Sequence, residues 1–348
     1  MVKLGLIGLG GICQGKHIKE LKDVKDVQIA ALCDIDKERL AYVAKNLNIP
    51  EDHCFTDYHD LIACADVEAV EICTPNYLHI PMAVAAVEAG KAINVEKPLS
   101  INMQEAMALK EALEKHPVKN MMCFSYRFLP AVRYAKYIME QNMIGKVNGI
   151  KVEYLKNSAL WEGRRLDWRF VKEYAGTGVL GDLGVHLIDM ASFLCGDFHA
   201  VCGQTGIVVK ERQKLDSDEW APVETDDYCN FLATLGDDIP ASFTITRCAL
   251  GNANTIRYEI YGNDGAISFD LNNPTVLNVC IGPIDKKANT LHTVPVPQEY
   301  VITQEQMFSD LLNGVPCRYL PTVEDGLKCQ KILDALLESS EKKCWITL

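Results

Sequence analysis

Two side chains that handle protons stand four residues apart in GTGVLGDLGVHLID, residues 176–189: Asp182 and His186. In a helix that begins near Leu180, positions i and i+4 share a face one turn apart, which sets a carboxylate and an imidazole at the same rim. Leu183, Leu187, Met190 and Leu194 form the adjoining apolar stripe that would dock such a helix. Gly176, Gly178, Gly181 and Gly184 are poor helix formers, and their density points to the close approach of a backbone or a ligand. Taken alone, an amphipathic helix with a capping Asp and a satisfied His accounts for the same pair. A third candidate is Lys97, which follows an apolar run and Glu96 and precedes Pro98, a neighbour that keeps Lys97 extended. A base within reach of a hydroxyl and a cation that stabilises alkoxide character are what oxidation of an alcohol asks of a protein.

That chemistry also needs an electron acceptor, and the N-terminus offers a place for one. Val2 to Ile7 is a short apolar run; Gly8, Gly10 and Gly11 follow, then a helical pattern carrying Ile12, Ile18 and Leu21. Strand, glycine turn and helix in this order keep the first two glycines of the dinucleotide fingerprint, which allow a tight turn and bring pyrophosphate to a helix N-terminus. Cys13 stands where the third glycine belongs, a small residue that still permits helix–strand packing but departs from the motif. The second apolar run, Val27 to Cys33, ends in Asp34, the position from which a carboxylate binds a ribose 2′-hydroxyl, so NAD is favoured. Lys37 and Arg39 lie just beyond and leave NADP as the less favoured cofactor.

Strands and helices alternate through Cys123. Lys37 to Leu47 reads as a helix, Tyr58 to Cys64 as a helical turn and Ala69 to Cys73 as a strand. His79 to Ala89 is a helix closed by Gly90, and Ala92 to Val95 a strand. Thr74-Pro75-Asn76 and Glu96-Lys97-Pro98 both fall at strand carboxyl ends, the edge where open parallel sheets bind ligands. After Lys146 the pattern changes. Val147 to Leu155, Val201 to Val209, Asp227 to Leu235, Ile239 to Cys248 and Thr255 to Tyr261 read as strands, several joined by short glycine turns. The expected fold class is α/β: an N-terminal Rossmann doubly wound parallel sheet over residues 1–123, plus a C-terminal α+β domain with a large, mostly antiparallel open sheet over 124–348. The last helix, 323–339, is a candidate to pack back on the first domain. Residues 272–297 read as loops and short strands. Between the regular parts lie Trp161, Arg164, Arg165, Trp168 and Arg169; flat aromatic faces suit sugar rings and arginines donate to hydroxyls, while a packed loop with solvated arginines fits equally. Tyr126 and Arg127 have the same standing as substrate contacts.

The segments GLIGLGGIC, TPNYLH, GKAINVEKPLS, YRFLP and GTGVLGDLGVHLID together resemble the Gfo/Idh/MocA oxidoreductase family. The landmarks span residues 2 to about 190, and the EKP triplet with the D-x-G-x-H-x-x-D set is their specific part. The resemblance implies that Lys97 hydrogen-bonds the reacting hydroxyl, that His186 is the acid/base group, and that Asp182 holds the substrate, tunes the pair or itself serves as acid/base. It implies that Thr74, Pro75, Asn76, His79, Glu96 and Lys97 line the dinucleotide beside Gly8, Gly10, Gly11, Ile12 and Asp34, that Trp168-Arg169 lies near cofactor and substrate, and that a cis bond precedes Pro98. The activity implied is NAD-dependent oxidation of a secondary hydroxyl of a cyclitol, sugar or glycoside, or reduction of the ketone. An NAD-assisted glycosidase and a non-catalytic dinucleotide-sensing regulator are the alternatives. Pairing of the C-terminal sheet with another subunit, as homodimer or homotetramer, is implied as well.

Composition narrows the partners. The chain has 348 residues, 48% hydrophobic and 24% charged, with a formal net charge of -12, which disfavours nucleic acid and anionic membrane surfaces as partners. No secretory signal pattern or membrane-length apolar run is read, so the expected residence is cytoplasmic. The fourteen cysteines form no CxxC pair and do not cluster with histidines at ligand spacing, so no metal site is expected and reduced thiols in apolar runs are the simplest account.

Overall fold

In the computed structural model, which describes residues 1–348, the apolar runs of the N-terminal third pair as one parallel sheet. Its strands are β1 (Val2–Ile7), β2 (Val27–Cys33), β3 (Cys54–Phe55), β4 (Ala69–Ile72), β5 (Ala92–Val95) and β6 (Asn120–Met122), in the order β3-β2-β1-β4-β5-β6. This is the doubly wound order, with its switch point at β1. Leu4, Leu6, Leu32, Val70, Ile72, Ile93 and Val95 are fully buried, as strands covered on both faces must be. Register aligns Ile7 with Cys33 and Ile72, and Ile72 with Val95. Gly8, Asp34, Cys73-Thr74 and Glu96-Lys97 therefore leave the sheet along one edge.

The chain divides into two compact units, Met1–Phe124 with Ile302–Lys328, and Ser125–Val301 with Cys329–Leu348. The distant segment joins the first unit through β6: Met122 N–H donates to Pro321 O at 3.0 Å and Val323 N–H to Asn120 Oδ1 at 3.0 Å. Within that segment the helix Gln304–Leu312 starts at Thr303, whose hydroxyl accepts from Gln306 N–H. The sequence carried no reading of this helix, because nine residues with a mixed face give too little periodicity. The last helix runs Val323–Lys342, past the expected end at Ser339, and so begins in the first unit and ends in the second.

The second unit is built on β7 (Val147–Leu155), β8 (Phe198–Gly206), the small hairpin β9 (Glu211–Gln213) and β10 (Trp220–Pro222), β11 (Tyr228–Leu235), β12 (Ile239–Thr246), β13 (Thr255–Gly262), β14 (Gly265–Asp270), β15 (Val276–Ile281), β16 (His292–Pro295) and β17 (Ile346–Thr347). Nine of these form one sheet, β16-β15-β14-β13-β7-β12-β11-β8-β17. All its pairs are antiparallel except β7 with β12. Alternation sets its two faces: Ile150, Val152 and Tyr154 are buried while Lys151 is exposed. β8 begins earlier than expected, at Phe198, a buried residue paired with Leu235. Residues 272–297 resolve into β15, the helix Gly282–Ala288 and β16, which extend one sheet edge.

The stretch Lys172–Cys195 is long and apolar enough to cross a membrane by composition, against the sequence expectation, but 78% of its most apolar window is buried inside the protein, as in a core helix. All fourteen cysteines are free thiols.

Candidate active site

The candidate cofactor-binding residues along the sheet edge belong to the first unit, beginning with Gly8. Its φ of +86° suits glycine, and an added Cβ would sit 2.8 Å from Thr74 Cγ2 and 3.0 Å from the Cys73 carbonyl, so the turn after β1 lies directly on the turn after β4. At Gly10 and Gly11 an added Cβ would meet nothing within 4 Å. Those two glycines open the helix 11–21, whose Cys13–His17 stretch is wound as a π-helix. Cys13, in the third glycine's place, is fully buried, whereas Ile12 is exposed. Leu9 N–H donates to Asp34 Oδ2 at 2.8 Å and Asp36 N–H to Asp34 Oδ1 at 2.9 Å, which ties the glycine turn to the end of β2. Arg39 pairs with Asp34 at 3.1 Å and with Asp36 at 2.9 Å, so the cation next to the ribose position is already engaged by carboxylates. A left-handed glycine turn, open space over Gly10 and Gly11 and a carboxylate at the end of β2 fit a bound dinucleotide.

The loops after β4 and β5 are stapled to each other by His79. It is buried in the helix His79–Glu88, with Nδ1 2.8 Å from Pro98 O and Nε2 2.9 Å from Thr74 O. Burial pulls its pKa below the usual histidine value, so the neutral ring donates to one carbonyl at a time. Thr74 and Lys97 are half-buried, and Asn76 and Glu96 buried, along this edge. Glu96 Oε2 accepts from Lys97 N–H at 3.0 Å, and the Lys97–Pro98 bond is cis.

The candidate proton-handling residues Asp182 and His186 belong to the second unit. Gly178 and Leu180 donate their N–H groups to the carboxylate of Asp226 at 2.6 and 2.8 Å, and Val179 N–H donates to Asp226 O. Asp226 thus caps, from across the unit, the helical segment that follows. An added Cβ at Gly178 would fall 2.0 Å from Asp226 O, so the glycine density read from the sequence reflects backbone approach at this position. Leu180–Gly184 is a π-turn and Val185–Cys195 an α-helix, so Asp182 and His186 straddle the junction, a bulge geometry frequent at functional sites. His186 is buried with its ring 4.3 Å from that of Tyr126. The Tyr126 hydroxyl is 2.6 Å from that of Tyr154, which donates to Asn254 Oδ1 at 3.0 Å. Burial, Tyr126 and Asp182 hold the Tyr154 pKa far above the usual tyrosine value, so this hydroxyl keeps its proton. Tyr154 and Asn254 escaped sequence reasoning; Tyr154 looks like an ordinary inward strand residue, and Asn254 lies in a turn.

The other sequence candidates have distinct surroundings. Arg127 is buried in an ion pair with Asp189, its Nε 3.1 Å from Oδ2, and lies over Phe193. Trp161 is exposed with its Nε1 donating to Asn157, and Arg164 spans the rings of Trp161 and Phe170 while pairing with Asp167. Trp161 and Arg164 line an open cleft of about 290 Å³ with Arg212 and Trp220. Arg169 stacks on its neighbour Trp168 at 4.3 Å.

Comparison with known proteins identifies the family and the fold. Residues 2–124 match the family model of the Gfo/Idh/MocA oxidoreductases described as an NAD-binding Rossmann fold, and residues 132–268 match the model of that family's C-terminal domain. Levoglucosan dehydrogenase of Pseudarthrobacter phenanthrenivorans is 31% identical over 84% of this chain and 82% of its own. Glucose-6-phosphate 3-dehydrogenase of Bacillus subtilis is 27% identical over 97% of this chain and 96% of its own. A solved levoglucosan dehydrogenase in complex with NADH superposes with a TM-score of 0.89 at 29% identity, covering 99% of this chain and 98% of that one.

Proposed function

Since the chain belongs to the Gfo/Idh/MocA oxidoreductase family and carries its NAD-binding Rossmann fold, we propose that it oxidises a secondary hydroxyl of a sugar, glycoside or cyclitol, with Lys97 and His186 acting at the reacting oxygen. The observation that carries this reading is the retention of Lys97, Asp182 and His186 together, on an NAD-binding sheet edge and on a capped π–α junction. NAD, when bound, supplies the electron-pair acceptor for the carbinol carbon. The Lys97 ammonium donates to the hydroxyl oxygen and stabilises its alkoxide character, and the imidazole of His186 takes the proton. Tyr126, tilted against the His186 ring and hydrogen-bonded to Tyr154, limits the ring's orientation. Asp182 supports the charge that His186 gains. Gly8, Gly10, Gly11, Asp34 and the loops after β4 and β5 hold the dinucleotide, and the Trp161, Arg164 and Trp168-Arg169 segment offers faces and donors to the sugar ring.

The named relatives are dehydrogenases, which supports an oxidoreductase over an NAD-assisted glycosidase or a non-catalytic sensor. The test is absorbance at the NADH band after mixing protein and NAD with levoglucosan, glucose 6-phosphate, inositols and alkyl glycosides. Turnover is expected with at least one, lowered by about 10²–10⁴-fold in Lys97→Ala and His186→Ala with NADH binding retained. Wild-type turnover in both variants refutes the roles assigned. The outward face of the nine-stranded sheet, with Leu232 and Tyr261 exposed, is the proposed pairing surface of a homodimer or homotetramer, and light scattering of the purified protein checks it.

A further inference from the structure

His17 ends the π-wound stretch behind the glycine turn and is fully buried, yet three carboxylates converge on its ring. Nε2 lies 2.9 Å from Glu96 Oε1, and Nδ1 lies 2.7 Å from Glu71 Oε1 and 2.8 Å from Glu305 Oε1. The acids come from three pieces of the first unit: β4, the end of β5 and the helix Gln304–Leu312. The other groups around the ring are Asn94, whose Nδ2 donates to Glu71 at 2.7 Å, Gln304, whose Nε2 donates to Glu305 at 3.1 Å, and the thiols of Cys13, Cys73 and Cys123. Among all of these, the imidazole is the one group able to carry positive charge.

A neutral imidazole has a single N–H, so its one in-plane lone pair would face the Glu96 carboxylate at Nε2 or the Glu71 carboxylate at Nδ1, each at under 3 Å in a dry interior. Two donating N–H groups remove that repulsion. Burial opposes a charged ring here, but Glu71 and the hydrogen bond to Glu305 outweigh it and hold the His17 pKa above the usual value. Glu305 in turn is pushed up to about 7 by burial and by Glu71, so a proton on this acid offsets part of the surplus negative charge. Glu71 Oε2 and Glu305 Oε2 are buried without a hydrogen-bond partner, so each carboxylate makes its hydrogen bonds through Oε1.

We propose that His17 is a permanently protonated positioning residue: its imidazolium clamps Glu96, and Glu96 through its other oxygen holds the Lys97 N–H, so the buried cluster fixes where β5 delivers the Lys97 amine. Glu71 and Glu305 complete the clamp from behind, which makes the helix Gln304–Leu312 part of the reaction's support although it touches no reacting atom. The positioning role rests on the assignment of Lys97 made above; the protonation state of His17 does not.

The test uses the full-length protein. With ¹⁵N-histidine labelling, His17 is expected to show two exchange-protected ring N–H signals that persist from about pH 6 to 8.5. A single ring N–H in that range overturns the proposal. So does a stoichiometric metal in the purified protein, since His17, Glu71 and Cys123 bring ligand atoms within 4.8 Å of one another. In Glu305→Gln, kcat on whichever polyol of the panel turns over is expected to fall by about tenfold and its pH profile to move, with KM for NAD held within about twofold. An unchanged kcat and profile overturn the positioning role while an inactive Lys97→Ala keeps the proposed function. A fully active Lys97→Ala overturns that function and leaves the His17 spectrum to be judged by itself.

Discussion

Replacing Gly8 and Gly10 by alanine should separate a glycine that the fold needs from one that the cofactor needs. At Gly8 the added methyl meets two penalties. A φ of +86° costs an L-residue about 1–2 kcal/mol, and contacts of 2.8 Å to Thr74 Cγ2 and 3.0 Å to the Cys73 carbonyl cost about 1–3 kcal/mol more through displacement of the neighbouring turn. Gly8→Ala should therefore lose roughly 2–5 kcal/mol, or about 5–20 °C in the melting of the first unit. At Gly10 the same methyl meets nothing within 4 Å and the backbone is not left-handed, so Gly10→Ala should be neutral or up to about 1 kcal/mol more stable. If the pyrophosphate lies over that turn, the methyl intrudes on it, and a clash of about 1.4–2.8 kcal/mol weakens NADH binding roughly 10- to 100-fold. Scanning calorimetry reads the first quantity and NADH fluorescence titration the second. Two outcomes refute the reasoning: a Gly8→Ala protein as stable as wild type, or a Gly10→Ala protein that binds NADH undiminished.

Arg127→Met leaves Asp189 buried without its cation and should cost about 3–5 kcal/mol in urea unfolding, most of it recovered by adding Asp189→Leu; an unchanged midpoint in the single variant would contradict the buried pair. Glu305 shifts from its ordinary 4.5 to about 7 in the folded protein, which thus holds a proton that the unfolded chain has released between those values. Stability should fall as pH rises from about 4.5 to 7, by roughly 3 kcal/mol at 1.36 kcal/mol per unit, and Glu305→Gln should flatten that slope; parallel pH dependences for the two proteins would exclude it. Gly178→Ala, with its methyl 2.0 Å from Asp226 O, should displace the cap on the His186 segment and lower both stability and turnover, whereas full activity would show that the cap is dispensable.

Glycines, prolines and apolar runs are local signals, and they were legible. Val2–Ile7, Val27–Cys33, Ala92–Val95 and Lys37–Leu47 fall where the pattern placed them, because each is a continuous apolar strand or a capped periodic helix whose limits are written in its own residues. The D-x-G-x-H pair and the EKP triplet stood out through the family resemblance, and the family itself is shown. What the sequence could not decide is what each side chain faces. Arg127 reads as a substrate donor and is paired with Asp189; Asp226 carried no reading and caps a helix that starts 46 residues earlier in the chain. The clamp on His17 draws on residues separated by up to 288 positions, and its one local trace is polar residues, Glu71 and Asn94, inside otherwise apolar strands. Propensity and periodicity act over a turn or a strand. The pairing of buried charges is set by which strands lie side by side, and that only the folded chain decides.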